Sequence, residues 1–213
     1  MTAVNRVIAL AAVFILLAPG GGHCHAAPKT APAPAPILSP RLQRCLQRAD
    51  DLPDIAAAES EAWIRSGGGN DAHLCRAFAQ SNRGMHEDAA REFWYLAAAY
   101  KKKDPARAVQ MHDMAGREFM RAQDYKNADR QYARAMAIDP RDSDALIGQA
   151  ETRMQSEHYW DAISDLNRVL KTDPDNIEAL RQRGRAWAEL GDDRDAREDL
   201  MRAANLEGGG KTP

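Results

Sequence analysis

The stretch Tyr125–Pro140, YKNADRQYARAMAIDP, is answered in register by Tyr159–Pro174, YWDAISDLNRVLKTDP. Only five aligned pairs are identical: Tyr125/Tyr159, Ala128/Ala162, Arg134/Arg168, Asp139/Asp173 and Pro140/Pro174. A duplicated catalytic motif would keep polar reactive groups. What recurs here is an aromatic, a small residue, an apolar ladder and an Asp-Pro stop, which are requirements of packing. Asp124 is placed to cap a helix opened by Tyr125, and Ala128, Tyr132 and Ala135 return at helical spacing. Ala128 has to be small if two helices cross closely there. Pro140 ends the segment, because a proline inside a helix loses a hydrogen bond and clashes with the preceding turn.

Counting outward from the Asp-Pro marks divides the chain into units of 34 residues, 109–142, 143–176 and 177–210. Each reads as two helices. The second unit sets Leu146, Ala150, Ala162, Leu166, Val169 and Pro174 at matching positions, and the third sets Leu180, Gly184, Trp187, Ala196, Leu200 and Ala203 there. Gly208 stands where the third terminal proline would be, so that unit is expected to stop at 207 and leave 208–213 as a flexible tail.

Composition sets the outer limits. The chain has 213 residues, a net charge of −2, 28% charged residues and 6% aromatics. The large single-sign charge that drives nucleic-acid binding is missing. Strand-like alternation of Val, Ile and Thr is also missing, so the folded part reads as all-α.

The N-terminus is a separate matter. One Arg at position 6, an apolar run from Val7 to Ala18 and then small residues form a secretory signal pattern, expected over 1–26. A run of this length is too short for a membrane span of roughly 20 residues. A bacterial lipoprotein signal needs a small residue before its cysteine, and His23 precedes Cys24, so lipidation there is not expected. An Ala/Pro-rich linker follows over 27–37, extended by its prolines and unable to hold a core.

At the matched positions the three units resemble the tetratricopeptide repeat, whose pattern of large, small and aromatic residues has this period. Upstream, 70–108 resembles a looser repeat, with Ala77, Gly84, Ala89 and Phe93 in register and a short insertion over 104–108. Asp104 as cap and Pro105 at the first helical position suggest that the next helix starts a turn early. Residues 38–69 fit a divergent helix pair turning at Leu52-Pro53-Asp54. The resemblance implies a right-handed α-solenoid of helix-turn-helix repeats, in which stacking supplies the core that one pair lacks.

In that family the first helix of each unit lines a concave groove that binds peptides or partner helices. Carried over by register, the groove here would include Phe78, Asn82, Asp113, Met114, Arg117, Met120, Arg121, Ile147, Glu151, Met154, Arg181 and Arg185. Arginines there would suit a ligand carboxylate, and methionines an adaptable apolar contact. The family's chaperone-tail clamp uses Lys and Asn at positions that fall on Asp113 and Arg117, so that ligand class is not expected.

Other candidate chemistry is thin. Cys45 and Cys75 fall on first helices of adjacent units, where a disulfide is expected in an oxidising compartment; the alternative is two buried thiols. There is no C-x-x-C motif. His23, Cys24 and His25 are metal-capable but lie in the expected leader. GGGKTP at the C-terminus has Asn205 where a phosphate-binding loop needs glycine. Lys101–Lys103 reads as cations at a helix end, and Asp192–Asp199 as the solvated face of the last helix. His73, His86, His112 and His158 are scattered over different units. No nucleophile, base and orienter come together, and neither a cofactor nor a metal is expected.

The sequence therefore points to a non-catalytic protein-protein interaction scaffold in a bacterial envelope, most simply the periplasm of a Gram-negative bacterium, with a protein or peptide partner. Two alternatives are a self-associating structural envelope protein, forming a homo-oligomer through an array end, and a metal- or thiol-handling protein using His23, Cys24, His25, Cys45 and Cys75.

Overall fold

The structure is a computed structural model that describes residues 38–208. The expected leader, the linker and residues 209–213 of the tail lie outside the described residues. Within them run ten helices and no strand: α1 (Pro40–Asp51), α2 (Pro53–Arg65), α3 (Gly69–Asn82), α4 (His86–Tyr100), α5 (Pro105–Arg121), α6 (Tyr125–Ile138), α7 (Ser143–Gln155), α8 (Tyr159–Thr172), α9 (Ile177–Glu189) and α10 (Asp193–Glu207). Odd-numbered helices are the first members of pairs and even-numbered ones the second. None is long and apolar enough to cross a membrane.

Local sequence fixes the helix ends. Side-chain oxygens of Ser39, Asp104, Asp124, Asp142, Asn176 and Asp192 each accept the backbone N–H three residues on. Prolines open α1, α2 and α5, where the missing N–H would have no partner in any case. Four of the five turns inside pairs share one design. Gly84, Gln123, Glu157 and Gly191 are left-handed, with φ of 75°, 60°, 61° and 80°. The N–H of the next residue (Met85, Asp124, His158 or Asp192) then closes the turn on the carbonyl of Gln80, Phe119, Arg153 or Trp187.

The pairs stack through small residues. Ala56, Ala89, Ala128, Ala162 and Ala196 occupy one register position in successive second helices, and all are buried. One turn along, Tyr132 drives its ring between the first helices of two units. A Cβ on Gly116 of α5 would come within 2.7 Å of that ring, and one on Gly148 of α7 within 2.4 Å. First helices meet each other directly, α1 with α3, α5 with α7 and α7 with α9, while the second helices pack chiefly on first helices. The stack therefore curves with first helices on its inner side.

A polar clasp recurs inside every pair. Glu59, Glu92, Gln131, Asp165 and Asp199 share one register position on the second helices, and each reaches back to the first helix of its own pair. Arg48 holds Glu59, Arg76 and His73 hold Glu92, and His112 Nδ1 lies 2.9 Å from Gln131 Oε1. Arg153 Nη1 donates to Asp165, and Arg183 grips Asp199 with two bonds of 2.7 Å. This corrects the reading of Asp192–Asp199 as a wholly solvated face. Asp193 and Arg194 are exposed, but Ala196 and Asp199 turn inward, because a run this long passes right round a helix.

Candidate interaction surface

The inner side of the stack carries the register positions named above, and the structure divides them into floor and rim. Phe78 is half-buried, edge-on to Phe93 with ring centroids 5.4 Å apart. Met114, Met120, Ile147 and Met154 are likewise half-buried against the core between units. Asn82 is exposed and ties α3 to α1, donating to Ala49 O at 2.9 Å and Asp50 Oδ1 at 3.0 Å.

The arginines are already engaged, with one exception. Arg117 Nη2 lies 3.4 Å from Asp144 Oδ2, and Arg121 Nη1 donates to Glu118 Oε1 at 2.6 Å. Arg181 reaches Glu178 and Glu207 across the last unit. Arg185 and Glu151 are exposed on successive first helices and have no ion-pair partner among the described residues. Charge along this face is thus mixed.

Asp113 departs furthest from a rim residue. It is only 3% exposed, and its Oδ1 accepts no hydrogen bond. Burial, together with the negative Asp142 and Asp144, pushes its carboxyl up to about 8 against the opposing pull of Arg117. The Tyr132 hydroxyl belongs to the same cluster. It abuts the Gly148 backbone, and Arg117, Glu151, Asp113 and Asp144 are the charges around it. Asp142 caps α7, bonding Ala145 N at 2.8 Å, and burial raises its pKa as well. Sequence reasoning missed Asp142 and Asp144 as members of this surface, because the two carboxylates belong to the junction between units. It read Tyr132 as a core aromatic, and Tyr132 is buried in the core with its hydroxyl beneath this face.

The cysteines meet at the other end. Cys45 of α1 and Cys75 of α3 are joined by a disulfide, with Cα atoms 5.9 Å apart. No group of three or more His, Cys, Asp or Glu side chains among the described residues is arranged to hold a metal ion. His23, Cys24 and His25 lie outside the described residues.

This curved stack is shared with solved structures. MamA (residues 41 to end) from Desulfovibrio magneticus RS-1 superposes with a TM-score of 0.67 at 19% identity, over 81% of this chain and 94% of that one. A second MamA structure gives 0.64 at 15% identity, over 76% and 93%. YrrB, a tetratricopeptide-repeat (TPR) protein with an unusual peptide-binding site, gives 0.59 at 17% identity, over 81% and 87%. The chain has the tetratricopeptide-repeat fold. No protein-family model matches the sequence, and no curated protein matches it either. The likeness is therefore one of architecture: the TPR stack places the inner face, and the side chains on that face are this chain's own.

Proposed function

We propose that the protein is an exported, non-catalytic scaffold that holds a partner protein segment along the inner face of its TPR stack. The observation that carries this reading is the inner face itself. The first helices α5, α7 and α9 touch in succession and present exposed polar side chains, Arg117, Arg121, Glu151 and Arg185, beside half-buried Met120, Ile147 and Met154. Such a strip offers an adaptable apolar floor and a polar rim to an extended or helical segment. The peptide-binding site of YrrB on a similar stack supports the assignment. Export to the bacterial periplasm is supported by the signal pattern over 1–26 and by the Cys45–Cys75 disulfide, a bond that persists in oxidising compartments. That bond also engages Cys45 and Cys75, two of the residues a metal- or thiol-handling role would use.

A photo-cross-linking residue placed at Arg185 on the inner face, and separately at exposed Trp160 of α8, tests the proposal in cells carrying the tagged protein. Reproducible capture of one envelope protein from position 185 and not from 160 is expected. Capture from 160 alone would overturn the inner-face assignment.

A second reading, self-association through the C-terminal array end, is favoured by one observation. Ser60, Phe93, Tyr132 and Leu166 are buried at the register position where Leu200 is 39% exposed, and Met201 beside it is 59% exposed. In the same experiment, cross-links only between copies of this chain would favour that reading.

A further inference from the structure

We infer that the inner face between α5 and α7 takes a cationic side chain, the ammonium of a lysine or the guanidinium of an arginine, borne by a segment of the partner protein and docked over Asp113. The inference rests on the scaffold reading and names the chemistry of its ligand.

Three observations carry it. The first is the orphaned oxygen of Asp113, a carboxyl almost wholly removed from water with no donor for Oδ1. Buried polar groups are nearly always satisfied, and an unsatisfied one marks a strained or functional position. The second is the charge around it. Asp142 and Asp144 stand at the start of α7, Glu151 lies further along the same helix, and Arg117 is the cation facing them, already directed at Asp144. Carboxylates therefore outnumber cations here. The third is spacing. Asp144 and Glu151 are separated by two turns of α7, about 10 Å, and both are exposed, while Asp113 and the Tyr132 hydroxyl form the floor. Carboxylates spread in this way do not close on a metal ion, and no metal-holding group occurs among the described residues. They do suit a long side chain carrying several N–H donors, with Asp144 and Glu151 at the rim and Asp113 beneath.

The arrangement couples binding to protons. The groups facing Asp113 are Arg117 on its own helix, Tyr132 from α6, and Asp142 and Asp144 from α7. In the free protein Asp113 holds its proton to about pH 8. A bound ammonium or guanidinium favours the carboxylate, so docking releases that proton and tightens as pH rises.

The test uses the purified protein and two fluorescein-labelled Gly-Ser peptides, one carrying two lysines and the other two glutamates at the same places. In anisotropy titrations at low salt the lysine peptide is expected to bind in preference to the glutamate peptide. Asp113→Asn and Asp144→Asn should each weaken the lysine peptide about tenfold. Asp144→Asn should leave the melting temperature unchanged, so that a fall in affinity cannot come from unfolding. Wild-type affinity should rise as pH is taken through about 8, and the Asp113→Asn profile should be flat. Equal or tighter binding of the glutamate peptide, binding of neither, or lysine-peptide binding indifferent to both substitutions would overturn the inference. Capture of a partner from position 185 through an acidic segment would also overturn it, while leaving the scaffold reading intact.

Discussion

A carboxyl with one oxygen buried and unpartnered prefers its neutral form, and Asp113 for that reason ties folding to pH. Unfolded, it ionises near the ordinary 3.8; folded, it keeps its proton to about 8. Between those values the unfolded chain binds fewer protons, so this group's contribution to stability is fully present below the lower value and is lost as pH rises through the upper one. Asp113→Asn removes the ionisation and keeps the shape. It should raise stability at pH 7 by about 1–3 kcal/mol, with the gap closing toward pH 4, as urea melts at the two pH values would show. A variant no more stable than wild type at pH 7 would mean that the carboxyl is solvated or paired. A residue that lowers stability yet occupies the inner face is more readily explained by binding than by folding.

At the scale of the helix pair, the turns and the crossings make opposite demands on glycine. The left-handed turn position is glycine at Gly84 and Gly191 but Gln123 and Glu157 in the two central units. A side chain there strains the backbone. The double variant Gln123→Gly/Glu157→Gly should therefore gain about 1 kcal/mol, read as a higher urea midpoint with an unchanged slope. Gly148 is the reverse case. A Cβ there would meet the ring and hydroxyl of Tyr132, whose own movement is blocked by Gly116 on its other side. Gly148→Ala should cost about 1–3 kcal/mol, and Gly148→Ala/Tyr132→Leu should recover part of that loss. The clasps between Arg or His on first helices and a polar residue on second helices operate at the same scale. Their acceptors share one register position, and the donors fall at several: His73 and His112 share one, Arg76 and Arg183 another, and Arg48 and Arg153 sit elsewhere. A scan for identical letters does not find a contact whose two halves vary independently.

Over the whole molecule, stability is a sum of units and the contacts between neighbours, so its ends are the weak points. The N-terminal end is stapled by the Cys45–Cys75 bond, which closes a separation of 30 residues. Cys45→Ser/Cys75→Ser should lose about 3 kcal/mol in the α1–α3 region, with hydrogen exchange rising there before it rises in α5–α9. Uniform loss of protection would show that the array unfolds as one body. At the C-terminal end of the described residues, Leu200 and Met201 are exposed. Leu200→Lys/Met201→Lys should change stability by less than about 1 kcal/mol while abolishing any concentration-dependent association seen by sedimentation. Association that survived both charges would place the contact elsewhere.

The sequence by itself determined the helices, their pairing and their stacking. These depend on period, on caps such as Asp124 and on stops such as Pro140, all of which act within a few residues along the chain. Resemblance to the tetratricopeptide repeat, carried over by register, supplied the positions expected on the inner side. The tertiary structure alone decided what those side chains meet there. Asp113 has the spacing of a rim residue and becomes the floor, because α7 of the next unit brings Asp142, Asp144 and the Gly148 backbone against it. Arg117 and Arg121 read as free anchors and turn out to be held by Asp144 and Glu118. Burial and charge at any point in a stack are set jointly by two units, and that sum exists only once the units are packed.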